Sequence, residues 1–539
     1  MSNTLVKFHQ CLLKPNLKAK PVFPKPISWS IHLPSSTKAS KYAVLGSKKT
    51  EFLSAIAMKY LPHPPLSRQY PVIKDTGNYD SIEYLNFKES SGLDKVYLSA
   101  RYESLSYKGT LEMSDDVNSV ANYITGNNNY NANHKTNPAD SEKIIELFNL
   151  GHLKHKWINS LSNGQLRRAR IAKAVLHYPQ LLIIDDPFLG LDPKQTQLVS
   201  DSLCKVTEMF DMAVVLGLRY QDTVPEWITH ITEINNEGIE LDGPKNEIHI
   251  RRDDVPQDKN YQLQEILNES EYKDMHKHND HKTNDHKTNS HKTNSHNTNN
   301  SYHIEFNNAS VIYKQLPILK DFSWKIPKWS NWRILGENGT GKTTILSLIT
   351  ADHPQSWRSV IKINGTLRKT GNGVTFFDVN NRIGISSPEL HSLVPPNKTM
   401  NEIITNGLVK DIGNSNFNFV VDFQPPQKLR EILAIPEIRN MINEYGDTKF
   451  NELTITLQKL TLFLRAIIKD PELIILDEAF SCMDDVRLMH ICHKILDTYF
   501  KEATVLTIGH IEWELPDYDY VIKLVGDEQR SYKLFKCEK

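Results

Sequence analysis

The feature that most constrains this chain is an internal repeat carried by spacing rather than by identity. A lysine followed by a threonine precedes a strand-ending aspartate by 136 residues in the first half (Lys49 to Asp185) and by 135 in the second (Lys342 to Asp477). A leucine that opens a short segment, Leu161 in LSNGQ and Leu453 in LTITL, precedes the same aspartates by 24 residues in both halves. From the aspartates to Arg219 and to His510 the intervals are 34 and 33. Agreement at three intervals means one architecture built twice in tandem. A chain of 539 residues is long enough to give each copy its own hydrophobic core.

The second half carries the more explicit chemistry. GENGTGKTT at 336–344 follows the strand-like WRIL at 332–335 and opens a helix reading ILSLIT. Gly336, Gly339 and Gly341 let backbone N–H groups turn inward around phosphates, and the helix N-terminus adds its positive dipole end. Glu337, Asn338, Thr340 and Thr344 complete the loop, in which Lys342 reaches the β- and γ-phosphates and Thr343 ligates Mg²⁺. The apolar strand ELIILDE at 472–478 ends in Asp477, a second Mg²⁺ ligand, and in Glu478, where a carboxylate orients or deprotonates an attacking water.

On these residues the chain resembles the ABC-type ATPases, over nearly its whole length outside one low-complexity stretch. The resemblance implies an α/β fold with two nucleotide-binding domains in tandem, at 1–252 and 303–539, each a parallel-sheet core with a helical lobe. ATP and Mg²⁺ are the implied ligands and ATP hydrolysis the implied reaction. Tyr313 matches the aromatic that stacks on adenine, and His510 the switch histidine at the γ-phosphate. In LSNGQ, Ser162, Gly164 and Gln165 match the signature that closes on a γ-phosphate held by the opposite domain, and Asp192 in GLD matches the loop that crosses between domains. Within the family, LITADHPQ and RIGISSPELH are similar to the twin-cassette proteins of the bacterial molybdate-locus photorepair type and their fungal relatives, which lack membrane segments on the same chain.

Departures from the family pattern fall in a crossed arrangement. In the first half VLGSKKTEFL keeps Gly46, Lys49 and Thr50 but is about three residues short. Asp185 is retained, the catalytic glutamate becomes Asp186 and the switch histidine becomes Arg219. The second half has LTITL where a signature belongs. If the two halves pair head to tail, all of these losses share one composite site, and the other site is complete. The glutamine that couples family members to a membrane partner is also missing, with Ser387 and Pro388 in its place.

Residues 253–302 end in pentads of the DHKTN type and read as a disordered linker, since they bury too little apolar surface to offset their ordering entropy. An Asn-rich patch at 127–137 reads as a loop insertion. Lys plus Arg equals Asp plus Glu, so no global field favours nucleic acid. The longest apolar runs are strand-sized, far short of the roughly 20 residues that span a bilayer. His490, Cys492 and His493 cluster on an apolar helix and read as packing. Nine lysines and no acid precede Glu51, which suggests a mitochondrial transit segment in preference to a cytosolic start.

The reading that unites these features is a nucleotide-gated intramolecular clamp with one active composite site and an unknown protein partner, serving regulation or assembly. An ATPase subunit for a separate membrane chain and a ribosome-associated factor are the alternatives.

Overall fold

The runs LLIID and AVVLG have no polar alternation, as expected of parallel strands covered on both faces, and both are wholly buried. The computed structural model describes residues 4–34, 40–72, 81–87, 119–126, 138–158, 161, 163–248, 261–266, 302–313, 316–337, 339–369, 374–420, 426–481, 483 and 485–538. The chain separates into two compact units, the first within residues 1–255 and the second reaching the end of the chain.

The first unit runs β1 (Thr4–Lys14), β2 (Ile27–His32), β3 (Lys41–Leu45), α1 (Lys49–Ile56), β4 (Leu61–His63), β5 (Arg68–Gln69), β6 (Ile82–Asn86), α2 (Val120–Thr125), α3 (Pro138–Leu147), α4 (Asn163–Leu176), β7 (Leu181–Asp185), α5 (Pro193–Met209), β8 (Ala213–Gly217), β9 (His230–Ile234) and β10 (Ile239–Pro244). Its main sheet has the order β10-β9-β3-β8-β7-β6, parallel except at β10. An antiparallel sheet, β2-β1-β4 with β5 also on β1, covers α1, and Phe8, Trp29 and Phe52 pack edge to face or tilted between them.

The second unit contains β11 (Gln262–Glu265), β12 (Tyr302–Tyr313), β13 (Leu316–Pro327), β14 (Asn331–Leu335), α6 (Lys342–Ile349), β15 (Ile361–Ile363), β16 (Thr366–Leu367), α7 (Phe376–Asn380), β17 (Ile383–Ser386), α8 (Pro388–Leu393), α9 (Met400–Asn406), α10 (Gln427–Leu433), α11 (Pro436–Tyr445), α12 (Ile455–Ile467), β18 (Leu473–Asp477), α13 (Val486–Tyr499), β19 (Thr504–Ile508), β20 (Tyr520–Leu524) and β21 (Tyr532–Glu538). Its main sheet reads β21-β20-β14-β19-β18-β17, the same connectivity as the first, with β11 added beyond β21. The repeat inferred from spacing is therefore a repeat of topology. Trp29 in β2 and Trp324 in β13 are buried at matching places in the two antiparallel sheets, as the likeness of ISWSI to FSWKI implies.

Two expectations need correction. Residues 262–265, inside the stretch read as a disordered linker, form β11 and pair antiparallel with β21 from Gln262↔Glu538 to Glu265↔Phe535. Composition averaged over fifty residues hides this short segment, in which Tyr261 packs on Tyr518 and donates to Asp517 at 3.1 Å. An edge strand with unpaired backbone groups recruits such an extended neighbour. The His/Asn pentads and the Asn-rich patch lie outside the described residues. Second, the start that suggested a transit segment is β1, with Leu5, Val6, Phe8, Cys11 and Leu13 in the core of the first unit. Alternation of apolar with polar residues over β1 was the available signal.

Among the described residues no helix is long and apolar enough to cross a membrane. Cys492 is buried, and His493 packs on Phe480 with Nε2 3.1 Å from Glu514 O, which accounts for that cluster as packing.

Candidate functional site

At the carboxyl end of its central strand each unit turns into a helix, and the two turns differ in length. Six residues separate Leu335 of β14 from Lys342 of α6, and three separate Leu45 of β3 from Lys49 of α1. The longer loop places Gly339 at φ +85° and Gly341 at φ +103°, backbone that side chains rarely adopt. A Cβ at Gly341 would also stand 3.2 Å from Leu319 Cδ2. Lys342 lies along this loop, its Nζ donating to Gly336 O at 2.5 Å and to Glu337 O at 3.2 Å. Thr340 Oγ1 donates to Glu337 O at 2.8 Å. Thr343 and Thr344 form the first turn of α6, Thr343 exposed.

Strand β18 brings two carboxylates to the same place. Asp477 is buried, and burial, then Glu389 and Glu478, hold its carboxyl well above the usual range despite Lys342 and Lys459. Glu478 leaves the strand with left-handed backbone, φ +46°. Its Oε1 lies 3.4 Å from His510 Nε2. Burial alone would raise the Glu478 pKa, but His510, then Lys459 and Lys342, bring it below the ordinary value. One carboxyl is thus biased toward the proton and its neighbour toward the charged form.

Two further residues belong to this cluster and were not singled out from the sequence. Lys459 on α12 is buried and donates from Nζ to Glu478 O at 2.9 Å. In the first unit Arg167 does the same work, with Nη1 3.4 Å from Asp186 O and 3.2 Å from Pro187 O. Each cation lies six residues after its leucine, Leu453 or Leu161, so the repeat spacing carried the signal. Glu389, on the first turn of α8, is the second. The sequence pointed to Ser387 as the substitute for the missing glutamine, but Ser387 caps α8, accepting from Leu390 N at 3.2 Å.

The corresponding place in the first unit is closed by its own side chains. Lys49 Nζ lies 2.7 Å from Asp185 Oδ1 and 2.8 Å from Asp186 Oδ1, and Thr50 Oγ1 donates to Asp185 Oδ2 at 2.6 Å. Both aspartates are wholly buried and Lys49 is 4 % exposed. Burial, then Asp186, push the Asp185 carboxyl up against the pull of Lys49 and Thr50. Gly46 turns at φ +111°, where a Cβ would overlap Ile234 O. Arg219 pairs with Asp222, Nη2 to Oδ1 at 2.8 Å, within its own turn. The backbone nevertheless matches: Asp186 has φ +55°, and its N–H donates to Gly217 O at 2.9 Å as that of Glu478 donates to Ile508 O at 2.8 Å.

Gly164 opens α4, where a Cβ would stand 3.3 Å from Leu191 Cδ2, and Gln165 follows it on the same helix. Asp192, expected at a crossing loop, is also the N-cap of α5 and accepts from Gln195 N at 2.8 Å. The matching LTITL segment starts α12 with Thr454 as N-cap and Thr456 in place of a glycine. Ser162, Asn338 and the side chain of Tyr313 lie outside the described residues.

The site's oxygen donors suit Mg²⁺, and a cation there would relieve the mutual repulsion of Asp477, Glu389 and Glu478. No cluster of three His, Cys, Asp or Glu side chains able to hold a metal occurs among the described residues. Thr343, on the first turn of α6, and Asp477, at the end of β18, are the residues that could hold such an ion.

The chain is similar to several known proteins. The family model described as "ABC transporter" matches residues 89–189 and 319–481. An ABC transporter ATP-binding protein of Saccharomyces cerevisiae is 35% identical, covering 97% of each chain. One from Schizosaccharomyces pombe is 29% identical over 87% of this chain and 88% of its own. The Escherichia coli protein ModF, also described as an ABC transporter ATP-binding protein, is 27% identical over 69% of this chain and 71% of its own.

Proposed function

Because this chain belongs to the ABC transporter family of ATP-binding proteins, we propose that it is a nucleotide-gated clamp that hydrolyses ATP at one composite site. The observation that carries this reading is the contrast between Lys342, on a six-residue glycine loop beside Glu478 and His510, and Lys49, enclosed by Asp185 and Asp186. In the clamp the phosphate loop of the second unit, Gly336 to Thr344 in order, wraps the phosphates, and Lys342 exchanges carbonyl acceptors for phosphate oxygens. Tyr313 stacks on adenine.

Glu478, kept charged by His510 and Lys459, takes the proton of the attacking water, and His510 steadies the γ-phosphate. Thr343 and Asp477 would hold Mg²⁺, which when bound would neutralise phosphate charge. Ser162, Gly164 and Gln165 of the first unit close over the γ-phosphate, with Asp192 at the crossing, so that ATP joins the units and its hydrolysis frees them. The first unit supplies this closing surface and no second hydrolytic site.

The relatives' names favour a second reading, an ATP-binding subunit working with a separate membrane chain. Affinity purification of Glu478→Gln, which holds the ATP-bound state, tests both. Retention of a regulatory or assembly partner supports the clamp. Retention of a membrane chain supports the second reading, and ATP hydrolysis undiminished by Glu478→Gln overturns the proposed chemistry.

A further inference from the structure

Residues 1–74 contain twelve Lys and Arg and a single acid, Glu51, although the chain as a whole carries equal numbers of each sign. Nucleotide chemistry uses none of this surplus, since Lys49 is enclosed by its own unit. Lys48 pairs with Glu51 at 2.7 Å and Lys25 with Glu237 at 3.5 Å. Among the described residues no carboxylate lies within ion-pairing distance of Lys7, Lys14, Lys18 or Lys20, which line β1 and the turn that follows it.

The same sheet carries the two most exposed large apolar side chains among the described residues, Leu17 at 86% and Leu66 at 79%, with Leu61 at 43%. The register sets Leu61 opposite Lys14, His63 opposite Leu12 and Gln69 opposite Lys7, and Leu17 follows Lys14 by three residues in the turn that leaves β1. The turn bearing Leu66 is tied to β1 by His9 N donating to Ser67 O at 2.8 Å. Leu66 is held outward at φ +70°, a conformation unfavourable to leucine. Leucines facing water add nothing to recognition of nucleic-acid phosphates. A bilayer interface accepts both classes, lysines at anionic headgroups and leucines at the acyl boundary.

We propose that the sheet of β1, β2, β4 and β5 docks the first unit on anionic lipid bilayers, with Leu17, Leu61 and Leu66 entering the acyl boundary and Lys7, Lys14, Lys18 and Lys20 meeting the headgroups. The occupant is a lipid surface, identified by charge complementarity joined to apolar tips. This surface is independent of the nucleotide reading.

The test is sedimentation of the full chain with vesicles of phosphatidylcholine alone and of phosphatidylcholine and phosphatidylserine in equal amounts. Binding is expected only to the second, weakening as salt rises. Each lysine contributes roughly fivefold and each leucine roughly tenfold to affinity. Leu17→Asp with Leu66→Asp, and separately Lys14→Gln with Lys18→Gln and Lys20→Gln, are each expected to lose about a hundredfold on that scale, with thermal midpoint and ATP hydrolysis unchanged. Because these positions are on the surface, the variants test docking rather than folding. A tryptophan at position 17, in Leu17→Trp, should be quenched by brominated lipid. Wild type that ignores anionic vesicles overturns the proposal. So does vesicle binding that survives Leu17→Asp with Leu66→Asp and is competed away by duplex DNA, which would make the surface a nucleic-acid site.

Discussion

Lys49 and Lys342 occupy the same position of the repeat and have opposite surroundings. Lys49 Nζ stands between two wholly buried carboxylates at 2.7 and 2.8 Å, while Lys342 Nζ rests on the loop carbonyls of Gly336 and Glu337. One lysine ties buried carboxylates of its own unit together, and in the proposed clamp the other exchanges these carbonyls for a ligand's oxygens.

Substituting the two lysines should therefore give opposite phenotypes. Lys342→Ala removes a charge-assisted contact to phosphate and is expected to abolish most ATP hydrolysis with little change in stability. Lys49→Met leaves two buried carboxylates uncompensated and should cost about 3–5 kcal/mol of stability, while retaining at least half the activity at a temperature where the variant is folded. Urea unfolding and steady-state ATPase assays separate the two. Equal activity losses would refute the single-site reading.

Gly164→Asp asks a residue of the first unit to control chemistry in the second. The atoms nearest a Cβ there belong to the side chains of Leu191, at 3.3 Å, which must shift slightly to admit it, and Gln195, at 3.5 Å, so Gly164→Ala is the control for folding. Against a triphosphate, a carboxylate costs roughly 3–4 kcal/mol per unit charge pair at an effective dielectric near 20, or about two orders of magnitude in rate. Thr456→Gly in the second unit should restore nothing. Near-normal turnover in Gly164→Asp would show that the units share no site.

Lys459→Met should lower kcat for ATP more than it changes KM, because Lys459 positions Glu478 through its carbonyl and keeps it charged. The expected loss is roughly tenfold, the size of one neutral-to-charged hydrogen bond. Arg167→Met, the same position in the first unit, should leave kcat unchanged. Parallel kinetics on the pair provide the check.

Burial, then Arg465, push the Lys469 amine down to about 7. The unfolded chain holds that proton to about pH 10.4. Between pH 7 and 10.4 the unfolded state binds more protons, so stability from this group rises with pH, by at most about 1.4 kcal/mol per unit, and the full cost of charging is present below 7. Lys469→Met should remove this slope. Unfolding curves across that range that remain parallel for wild type and variant would contradict the assignment.

Much of this was legible from residues alone. The spacing of Lys49, Asp185, Lys342 and Asp477 predicts the duplicated sheet, and the shortened first loop is three residues against six. What escaped was where side chains turn. Asp186 differs from glutamate by one methylene in the sequence, but in the structure its carboxylate faces Lys49, a contact across 137 residues that no local pattern carries. Lys459 is marked only by its spacing from Leu453 and Glu389 only by its place in RIGISSPELH; what they do, through a carbonyl and through charge, shows only in three dimensions. The β1 strand was read by composition, and its lysines outweighed an alternation that burial makes plain.

Strand β11 moves the seam between the two copies along the sequence. Gln262–Glu265 pairs with β21, and Ile266 N donates to Leu534 O at 2.8 Å, so the sheet of the second unit takes up residues that stand well ahead of β12 at Tyr302. A second half cut from the chain at 303 would therefore lack the partner of its own β21 and bare that strand's backbone groups, an invitation to pairing with another molecule that a cut at 256 avoids.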